Sequence, residues 1–500
     1  MCRRCGMATG SDRGEGSSRE LVSSAASAED AVSSELSSGK RLADLFPRPI
    51  SKPGHVRDGR RNHDGVRPCS RLVAGTLYRL CRFTDSIPNL PMRRSSFDAR
   101  DWINGLTLGA TLWVTLLLPT TLRAQTGDTV ARRVLAPGIT YRHIVDKRGP
   151  LVMHVVTVDL RRPDVELRVA RAHDQLKGRE TTSEMVRRVV ASGVQVPAAV
   201  NADFFELASG ENENEQVLRG EWWKGLKVTD SPYDTYDNVH VQFGIDAAGR
   251  PVMDRYILDG KAWDRGVMTP IVAMNFNPSG KPEGTALFTA RYGANAPRDT
   301  TRQTAEAAMT VAGRRGDTAL FVRRGAVSAT SGSAIPTDGA VLAAYGARAK
   351  EVQAMAEGDT VKVLLATLPR LPHGAVPALL IGGWPRIVRD GQSVAGDAAT
   401  VEGTLSRNAE MVHPRTAVGF SRDSATLILL TVDGRSENSG GVTLVDLARL
   451  MRQLGAWQAM NFDGGGSTTM VIDGAVVNAP SDKTGERAVG NALLVVRRRR

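Results

Sequence analysis

The last hundred residues alternate short apolar runs with turns that contain glycine or aspartate, and this pattern constrains the fold more than any other feature. The runs are rich in β-branched side chains, which favour strands. One segment differs: TLVDLARLMRQLG, residues 443–455, has apolar residues at helical spacing, a capping pair at Thr443 and Asp446, and Gly455 at its end. The order of elements predicts an α+β fold of mixed, largely antiparallel sheets with a few packed helices.

Upstream segments extend the same prediction. Residues 139–172 predict two strands, because VMHVVTVDL and VELRVA are separated by Arg-Pro-Asp turn chemistry. Residues 182–192 predict a short helix with Ser183 as its cap. Residues 209–238 are rich in Glu, Asn, Asp and Gly, and they predict a surface loop.

Residues 92–124 have the pattern of a secretory signal. Met92 is followed by two arginines, residues 105–118 are mainly apolar, and the small Ala124 offers a cleavage region. The alternative is a buried core helix. The signal interpretation predicts a secreted or periplasmic protein without stable membrane insertion after signal removal. The predicted organisation begins with a non-native or disordered extension at 1–91 and a signal peptide at 92–124. N-terminal strands and a helix at 125–190 then pack on the main domain at 191–496, and a basic tail follows at 497–500.

The net charge of +12 does not indicate a nucleic-acid partner once it is located. Residues 1–124 hold 19 basic and 12 acidic side chains, which leaves a net +5 for 125–500, and four of those charges belong to the terminal RRRR run. A basic surface for DNA or RNA is therefore not predicted. All four cysteines precede residue 100, so the body offers no thiol nucleophile and no cysteine-ligated metal. We expect no metal ligands and no cofactor.

The stretch NFDGGGSTTMVIDG, residues 461–474, places a carboxylate before three glycines and three hydroxyls. A P-loop needs a helix after its glycines and a lysine before its Ser or Thr, and neither is present. A plain glycine turn is one interpretation. The other is a strand end that presents Asp463, followed by a loop that lets a ligand approach backbone N–H groups.

Three other stretches share this design of an apolar strand that ends in polar groups. They are AAVNADFF (198–205), HPRTAVGF (413–420) and LLTVDGR (429–435). Together with NFDGGGSTTM (461–470) and ERAVGNALLVV (486–496), and in chain order, they resemble the phosphodiester glycosidase family, over roughly residues 190–496. The resemblance implies a single catalytic domain of the phosphodiester glycosidase type. The early motif departs from the Asn-Gly-Gly-aromatic form common in the family, because Asp203 adds a carboxylate.

Hydrolysis of a sugar-1-phosphodiester needs cations for the phosphate, a carboxylate near the anomeric carbon C1 and hydrogen bonds for the sugar hydroxyls. Asp463, Asp433 and Asp203 are the candidate catalytic residues. The candidate substrate-binding residues are Asn201, Arg415, Thr416, Arg435, Gly464, Gly465, Ser467, Thr468 and Arg487. Simpler roles stay open, because Arg415 can pair with Asp433 and Asp433 can cap its own Asp-Gly turn. His413 ranks below the carboxylates as a proton carrier, and Trp222, Trp223 and Trp384 can stack on a sugar or pack in the core.

These residues predict a hydrolase that cleaves the glycosidic bond of sugar-1-phosphodiesters, of the N-acetylglucosamine-1-phosphodiester type, in glycans or exopolysaccharide. The expected partner is a glycan or sugar-phosphate substrate. The alternative is a non-catalytic glycan-binding or exopolysaccharide-assembly protein of the cell envelope. Metal-dependent cleavage on the other side of phosphorus is a weaker alternative, because the sequence shows no histidine cluster.

Overall fold

The computed structural model describes residues 127–226, 240–278, 284–402 and 411–498, and most of their regular structure is β-strand. The strands in chain order are β1 (Asp128–Ala136), β2 (Ile139–Asp146), β3 (Leu151–Asp159), β4 (Val165–Arg171), β5 (Glu180–Thr181), β6 (Gln195–Asn201), β7 (Gln216–Leu218), β8 (Glu221–Leu226), β9 (Gln242–Ile245), β10 (Pro251–Asp254), β11 (Ile257–Asp264), β12 (Val267–Met274), β13 (Thr285–Thr289), β14 (Thr304–Arg315), β15 (Thr318–Arg323), β16 (Gly339–Tyr345), β17 (Thr360–Leu368), β18 (Leu379–Gly382), β19 (Arg386–Arg389), β20 (Gln392–Ser393), β21 (Arg415–Phe420), β22 (Thr426–Val432), β23 (Gln458–Phe462), β24 (Met470–Ile472), β25 (Ala475–Val476), β26 (Ala488–Val489) and β27 (Asn491–Arg497). The α-helices of the described ranges are α1 (Thr182–Ala191), α2 (Ala349–Gln353), α3 (Ala398–Val401) and α4 (Leu444–Gln453).

Two sheets pack face to face and form the main core. The first has eight antiparallel strands in the order β1-β2-β3-β22-β21-β23-β19-β20, and the second has five in the order β25-β24-β6-β27-β4. Between them, Val418, Leu429 and Phe462 of the first sheet pack with Val200 and Leu493 of the second. Burial of such side chains contributes about 1.5–3 kcal/mol each. The two sheets therefore fix the relative positions of β6, β21 and β23.

A helix covers the outer face of each of these sheets. Leu447 and Met451 of α4 pack on the eight-stranded sheet, and Met185 and Val186 of α1 pack on the five-stranded sheet. The predicted cap of α4 is confirmed, because the Thr443 hydroxyl accepts from the Asp446 N–H at 3.1 Å. The result is a four-layer arrangement of helix, sheet, sheet and helix.

The cap predicted for α1 is wrong by two residues. Thr181 caps the helix and forms a reciprocal capping box with Glu184. Ser183 instead donates its hydroxyl to Glu486 at 2.6 Å. The sequence has three consecutive hydroxyl residues, Thr181 to Ser183, that can each cap a helix, and the tertiary contact of Ser183 with Glu486 separates its role from that of Thr181.

A third sheet of twelve strands contains a closed barrel. Its order is β10-β9-β18-β7-β8-β12-β11-β17-β15-β14-β16-β13, and a further parallel pairing joins β12 to β13. The seven consecutive strands β11 to β17 therefore close on themselves. The prediction of largely antiparallel sheets is confirmed, but the described part of the chain is less helical than an α+β description implies.

The predicted surface loop at 209–238 is wrong for the part that the structure describes. β7 and β8 lie within it, and Asn212, Asn214, Glu215 and Gln216 are all fully buried. Polar side chains can be buried when they bond to one another. The sequence predicts a loop because this segment is polar. The buried side chains that form hydrogen bonds with it lie elsewhere in the chain.

Several predictions concern residues outside the described ranges. The N-terminal extension and the signal peptide lie there, and so do Arg499 and Arg500. Arg497 ends β27 and pairs with Asp164, and Arg498 pairs with Glu166. Among the residues that the structure describes, no helix is long and apolar enough to span a membrane.

Candidate active site

The strand order of the eight-stranded sheet brings three candidate residues to one edge. β21 lies antiparallel between β22 and β23, so the start of β21 meets the ends of both neighbours. Arg415 is in register with Val432, and Thr416 is in register with Phe462. Asp433 and Asp463 follow those two strands directly. Arg415 therefore begins the strand between two strands that each lead into a candidate aspartate.

Asn201 links this edge to the five-stranded sheet. Its side-chain oxygen accepts from the Thr416 hydroxyl at 2.7 Å and from the Thr469 N–H at 3.0 Å. Its side-chain amide donates to the carbonyl of Asp463 at 2.7 Å. Asn201 is fully buried, and these bonds leave little of its hydrogen-bonding capacity for a ligand. Asn201 and Thr416 are therefore placed to hold the backbone around Asp463 in position.

Each of the three consecutive glycines lies against a different arginine. A side-chain carbon added at Gly464 would lie 3.6 Å from the Arg415 side chain, and one at Gly465 would lie 3.1 Å from a guanidinium nitrogen of Arg435. At Gly466 it would collide with both Asp482 and Arg487. Gly465 also has φ +57°, a conformation that favours glycine. The glycines thus allow the guanidinium groups of Arg435 and Arg487, and the aliphatic part of the Arg415 side chain, to approach one short loop.

Asp463 is a partly buried carboxylate beside this loop. Burial raises its pKa to about 6, although the Ser467 hydroxyl and the positive charges of Arg487 and Arg415 act in the opposite direction. Its main chain is held on both sides, because its N–H donates to the Ala202 carbonyl at 2.8 Å. A carboxylate with a fixed backbone and a raised pKa can exchange a proton near neutral pH.

The three arginines have different surroundings. Arg415 is buried and donates to the main-chain carbonyls of Val442 and Met411, at 3.2 and 2.8 Å. Burial lowers the pKa of Arg415 to about 10. Arg435 is exposed, and Arg487 forms a two-bond pair with Asp482 at 2.7 and 3.0 Å. Arg435 is therefore the arginine of this group that is best placed to meet an incoming anion.

His413 lies against Arg435. A guanidinium nitrogen of Arg435 is 3.3 Å from His413 Nδ1, and since arginine only donates, Nδ1 is the acceptor. The ring proton is then on Nε2, which is buried and has no hydrogen-bond partner among the described residues. Burial, together with the charges of Arg415 and Arg435, lowers the pKa of His413, so the ring is neutral at neutral pH.

Asp433 is held by a set of contacts that differs from that of Asp463. Both of its carboxylate oxygens accept from the Ala479 N–H, at 3.2 and 3.1 Å. One of them lies 3.6 Å from His154 Nε2, and the Tyr141 hydroxyl lies 2.7 Å from the other ring nitrogen of His154. These contacts tie the turn after β25 to the edge of the eight-stranded sheet.

Asp203 belongs to a separate buried polar cluster. Its carboxylate accepts from Asn214 at 2.6 Å and from Gln216 at 3.5 Å. Burial raises its pKa to about 6, against the effects of Asn214 and of the positive charge of Lys224. None of these partners is shared with Asp463. The predicted catalytic role of Asp203 is therefore not supported by a common set of contacts.

The hydroxyls after the glycines are buried. Thr468 Oγ1 and Thr469 Oγ1 have no hydrogen-bond partner among the residues described, whereas the Ser467 hydroxyl lies beside the Asp463 carboxylate. Asn478 holds this segment in place, because its side chain donates to the Thr468 carbonyl at 3.0 Å and accepts from the Met470 N–H at 2.7 Å. Asn478 had no signal in the sequence, since a single asparagine near a strand is common.

Two aromatic side chains lie near this edge. Phe204 and Trp384 meet edge to face with ring centres 5.9 Å apart, and both are partly exposed. The Asn461 side chain donates to the Trp384 carbonyl at 2.6 Å, two residues before Asp463. Trp384 therefore stays a candidate for sugar stacking, whereas Trp222 and Trp223 are buried. Within the described ranges, no group of three or more His, Cys, Asp or Glu side chains is arranged to hold a metal ion.

Comparisons with known proteins agree with the motifs. Residues 308–496 match the family model described as phosphodiester glycosidase. N-acetylglucosamine-1-phosphodiester alpha-N-acetylglucosaminidase of Mus musculus is 36% identical over 95 residues, which cover 19% of this chain and 18% of that protein. An uncharacterized protein derived from the SPbeta prophage of Bacillus subtilis is 35% identical over 125 residues, which cover 25% of this chain and 18% of that protein. The chain thus spans about a fifth of the length of these curated relatives.

A solved structure supports the fold alone. The crystal structure of a hypothetical protein from Synechocystis superposes with a TM-score of 0.58 at 21% identity, and the match covers 75% of this chain and 64% of that one. The family match includes Arg415, Asp433, Asp463 and Arg487, whereas Asn201 lies before it. Residues 308–496 of this chain therefore match the phosphodiester glycosidase family, and the resemblance carried by the sequence motifs is confirmed.

Proposed function

We propose that this protein is a hydrolase that cleaves the glycosidic bond of sugar-1-phosphodiesters of the N-acetylglucosamine-1-phosphodiester type. The observation that carries the proposal is the position of the Arg435 and Arg487 guanidinium groups beside Gly465 and Gly466, directly after Asp463. A site for a phosphodiester needs several guanidinium donors around one oxyanion. It also needs a carboxylate at the reacting carbon, and Asp463 lies next to the loop.

Asp463 is assigned the role at C1, either by activating water or by direct attack. The departing group is a phosphate monoester, which leaves readily, so its departure depends on charge stabilisation more than on a strong acid. Arg435 holds the phosphate, and the neutral His413 offers its Nε2–H to a phosphate oxygen. Ser467 and Thr468 offer hydroxyls to the same ligand. Trp384 and Phe204 supply an aromatic surface for the sugar ring.

Asp433 is assigned a positioning role in place of the catalytic role predicted from the sequence. Its carboxylate is occupied by Ala479 and lies against His154. Ala479 follows Asn478, which holds Thr468 and Met470. Asp433 thereby fixes the segment that carries the candidate hydroxyls.

The proposal includes a setting outside the cytoplasm, in glycan or exopolysaccharide metabolism. It is motivated by the signal-like segment at 92–124. Sequencing of the N-terminus of exported protein tests it, with a start near Gln125 expected. Exported protein that retains residues 1–91 would contradict this part and leave the reaction proposal untouched.

Product analysis in isotopically labelled water tests the reaction. The substrate is a nitrophenyl phosphodiester of N-acetylglucosamine-1-phosphate, with Asp463→Asn as the inactive control. Label in the released sugar means cleavage between C1 and oxygen, as proposed. Label in the phosphate means cleavage at phosphorus and overturns the assignment. Saturable binding without any product favours the alternative, a non-catalytic glycan-binding or exopolysaccharide-assembly protein.

A further inference from the structure

A cleft of about 360 Å³ lies at the far end of the eight-stranded sheet from the candidate active site. Three turns form it: the turn after β3, the turn between β9 and β10, and the turn between β21 and β22. β21 runs from Arg415 at one end to this last turn at the other. Its six residues separate the two places by about 20 Å, at ~3.4 Å per residue.

Three arginines line this cleft, one from each turn: Arg161, Arg250 and Arg422. Arg161 is exposed, and Asp159 neutralises it through bonds of 2.9 and 3.3 Å. The side chains of Arg250 and Arg422 form no ion pair or hydrogen bond among the described residues. Both are available to a ligand.

Arg422 is held in place without losing its donors. Its guanidinium lies over the Trp457 ring, 4.8 Å from the ring centre. Stacking on an aromatic face uses the face of the guanidinium plane and leaves its N–H groups pointing outward in that plane. Such a group is pre-organised for two parallel bonds to a carboxylate or phosphate.

The turn that carries Arg250 is also ordered. The Asp246 carboxylate accepts from the N–H groups of Ala248 and Arg250, both at 2.9 Å. Among the described residues, Asp423 is the one acidic side chain that lines the cleft. Its carboxylate is bound by its own turn, at 2.5 Å from the Ser421 hydroxyl and 3.2 Å from the Ala425 N–H. The lining as a whole carries more positive than negative charge.

We propose that this cleft is a second binding site, for the carboxylate or phosphate groups of an acidic polysaccharide. Two uncompensated guanidinium groups match oxyanions, and the apolar side chains of Leu160, Pro251 and Ala425 match the carbon faces of sugar rings. A volume of about 360 Å³ accommodates one or two sugar units. Nucleic acid is disfavoured, because no unstacked aromatic ring lines the cleft to hold a base. Only the choice of a glycan as the carrier of the anion rests on the proposed function.

Binding measurements on the full chain test this site. The probes are polygalacturonate for carboxylate, a phosphorylated mannan for phosphate, and dextran as an uncharged polymer. The parent protein is expected to bind one or both acidic polymers in a salt-dependent manner and to ignore dextran. Arg250→Glu combined with Arg422→Glu is expected to weaken that binding by about tenfold or more, because repulsion replaces two charge-assisted contacts.

A matched control carries the same change of charge elsewhere. Arg314→Glu with Arg315→Glu alters two exposed arginines of the β14–β15 hairpin and is expected to bind like the parent. Equal losses in both double variants, no binding by the parent, or tighter binding of single-stranded DNA than of either polysaccharide would overturn the proposal. Turnover of the small nitrophenyl substrate is expected to be unchanged in both double variants. A parent that binds the polymer and never cleaves that substrate would contradict the proposed function and leave this site standing.

Discussion

The side-chain amide of Asn201 donates to the main-chain carbonyl of Asp463 at 2.7 Å, although 262 positions separate the two residues. Asn201 ends a strand of the five-stranded sheet, and Asp463 follows a strand of the eight-stranded sheet. The candidate carboxylate is therefore positioned by the packing of two sheets. Its geometry depends on the core between them as well as on its own loop.

Replacement of Asn201 should destabilise the protein more than replacement of its hydrogen-bond partner Thr416. Asn201→Ala leaves the Asp463 carbonyl, the Thr416 hydroxyl and the Thr469 N–H without their bonds, and we expect a loss of about 2–4 kcal/mol in the free energy of unfolding. Thr416→Val removes one of those bonds and should cost about 1 kcal/mol. Urea denaturation measures both. Equal losses would show that Asn201 acts through one bond only.

A second prediction concerns the third of the three consecutive glycines, Gly466. Gly466→Ala should force Asp482 and Arg487 away from the loop and raise KM for a phosphodiester substrate by about tenfold, because one guanidinium group loses its place. Gly440→Ala is the control, since an added side chain there would meet nothing within 4 Å. Steady-state kinetics compare them. An unchanged KM in Gly466→Ala would mean that the Asp482–Arg487 pair has no part in binding.

Much of the fold and part of the site could be predicted from the sequence. Antiparallel strands, the helix at 443–455 and the placement of Asp433, Arg415 and Asp463 at strand ends follow from local patterns, because apolar periodicity and turn residues are local signals. The barrel could not be predicted, because its closure depends on a parallel pairing between β12 and β13.

Side-chain partners were the hardest to predict. Asp433, Asp463 and Asp203 look alike in sequence, since each follows an apolar strand. Their roles diverge through distant contacts: Ala479 and His154 for Asp433, Asn214 and Gln216 for Asp203. The polar stretch at 212–216, which is mostly buried, is predicted as a loop for the same reason. The burial of a polar side chain can be predicted only when the groups that form hydrogen bonds with it are known.

Asp463→Asn should lower kcat by ~10²–10⁴-fold with the fold retained, because the amide keeps the size of the carboxylate but loses its basicity. The control is Asp473→Asn, which alters an exposed aspartate paired with Arg133 at 2.7 Å. Turnover of the nitrophenyl substrate and circular dichroism spectra measure activity and folding. Retention of parent-level turnover in Asp463→Asn would assign Asp463 a structural role.

The same variant should change how stability depends on pH. A carboxyl with a folded-state pKa of about 6 holds its proton more tightly when folded than when unfolded, where the pKa is about 3.9. The folded state is therefore penalised as pH rises through that window. Asp463→Asn lacks this penalty, so its stability relative to the parent should grow between about pH 4 and 6 and stay constant above. Thermal unfolding across this range measures the difference, and a gap that is unchanged from acid to neutral pH would contradict the raised pKa.

Arg435 and Arg415 should respond differently to the same conservative change. Arg435 is exposed and faces Gly465, so Arg435→Lys should raise KM for a phosphodiester by about tenfold, since lysine lacks the two-donor fork, and leave stability unchanged. Arg415 is buried and holds the carbonyls of Val442 and Met411, so Arg415→Lys should lower the free energy of unfolding by about 1–3 kcal/mol as well as weaken binding. Kinetics with the phosphodiester, inhibition by free N-acetylglucosamine and urea denaturation separate the two effects. Inhibition by the free sugar should be nearly unchanged in Arg435→Lys, because that ligand has no phosphate. A loss of stability in Arg435→Lys, or equal weakening of the free sugar and the phosphodiester, would assign the phosphate to another group.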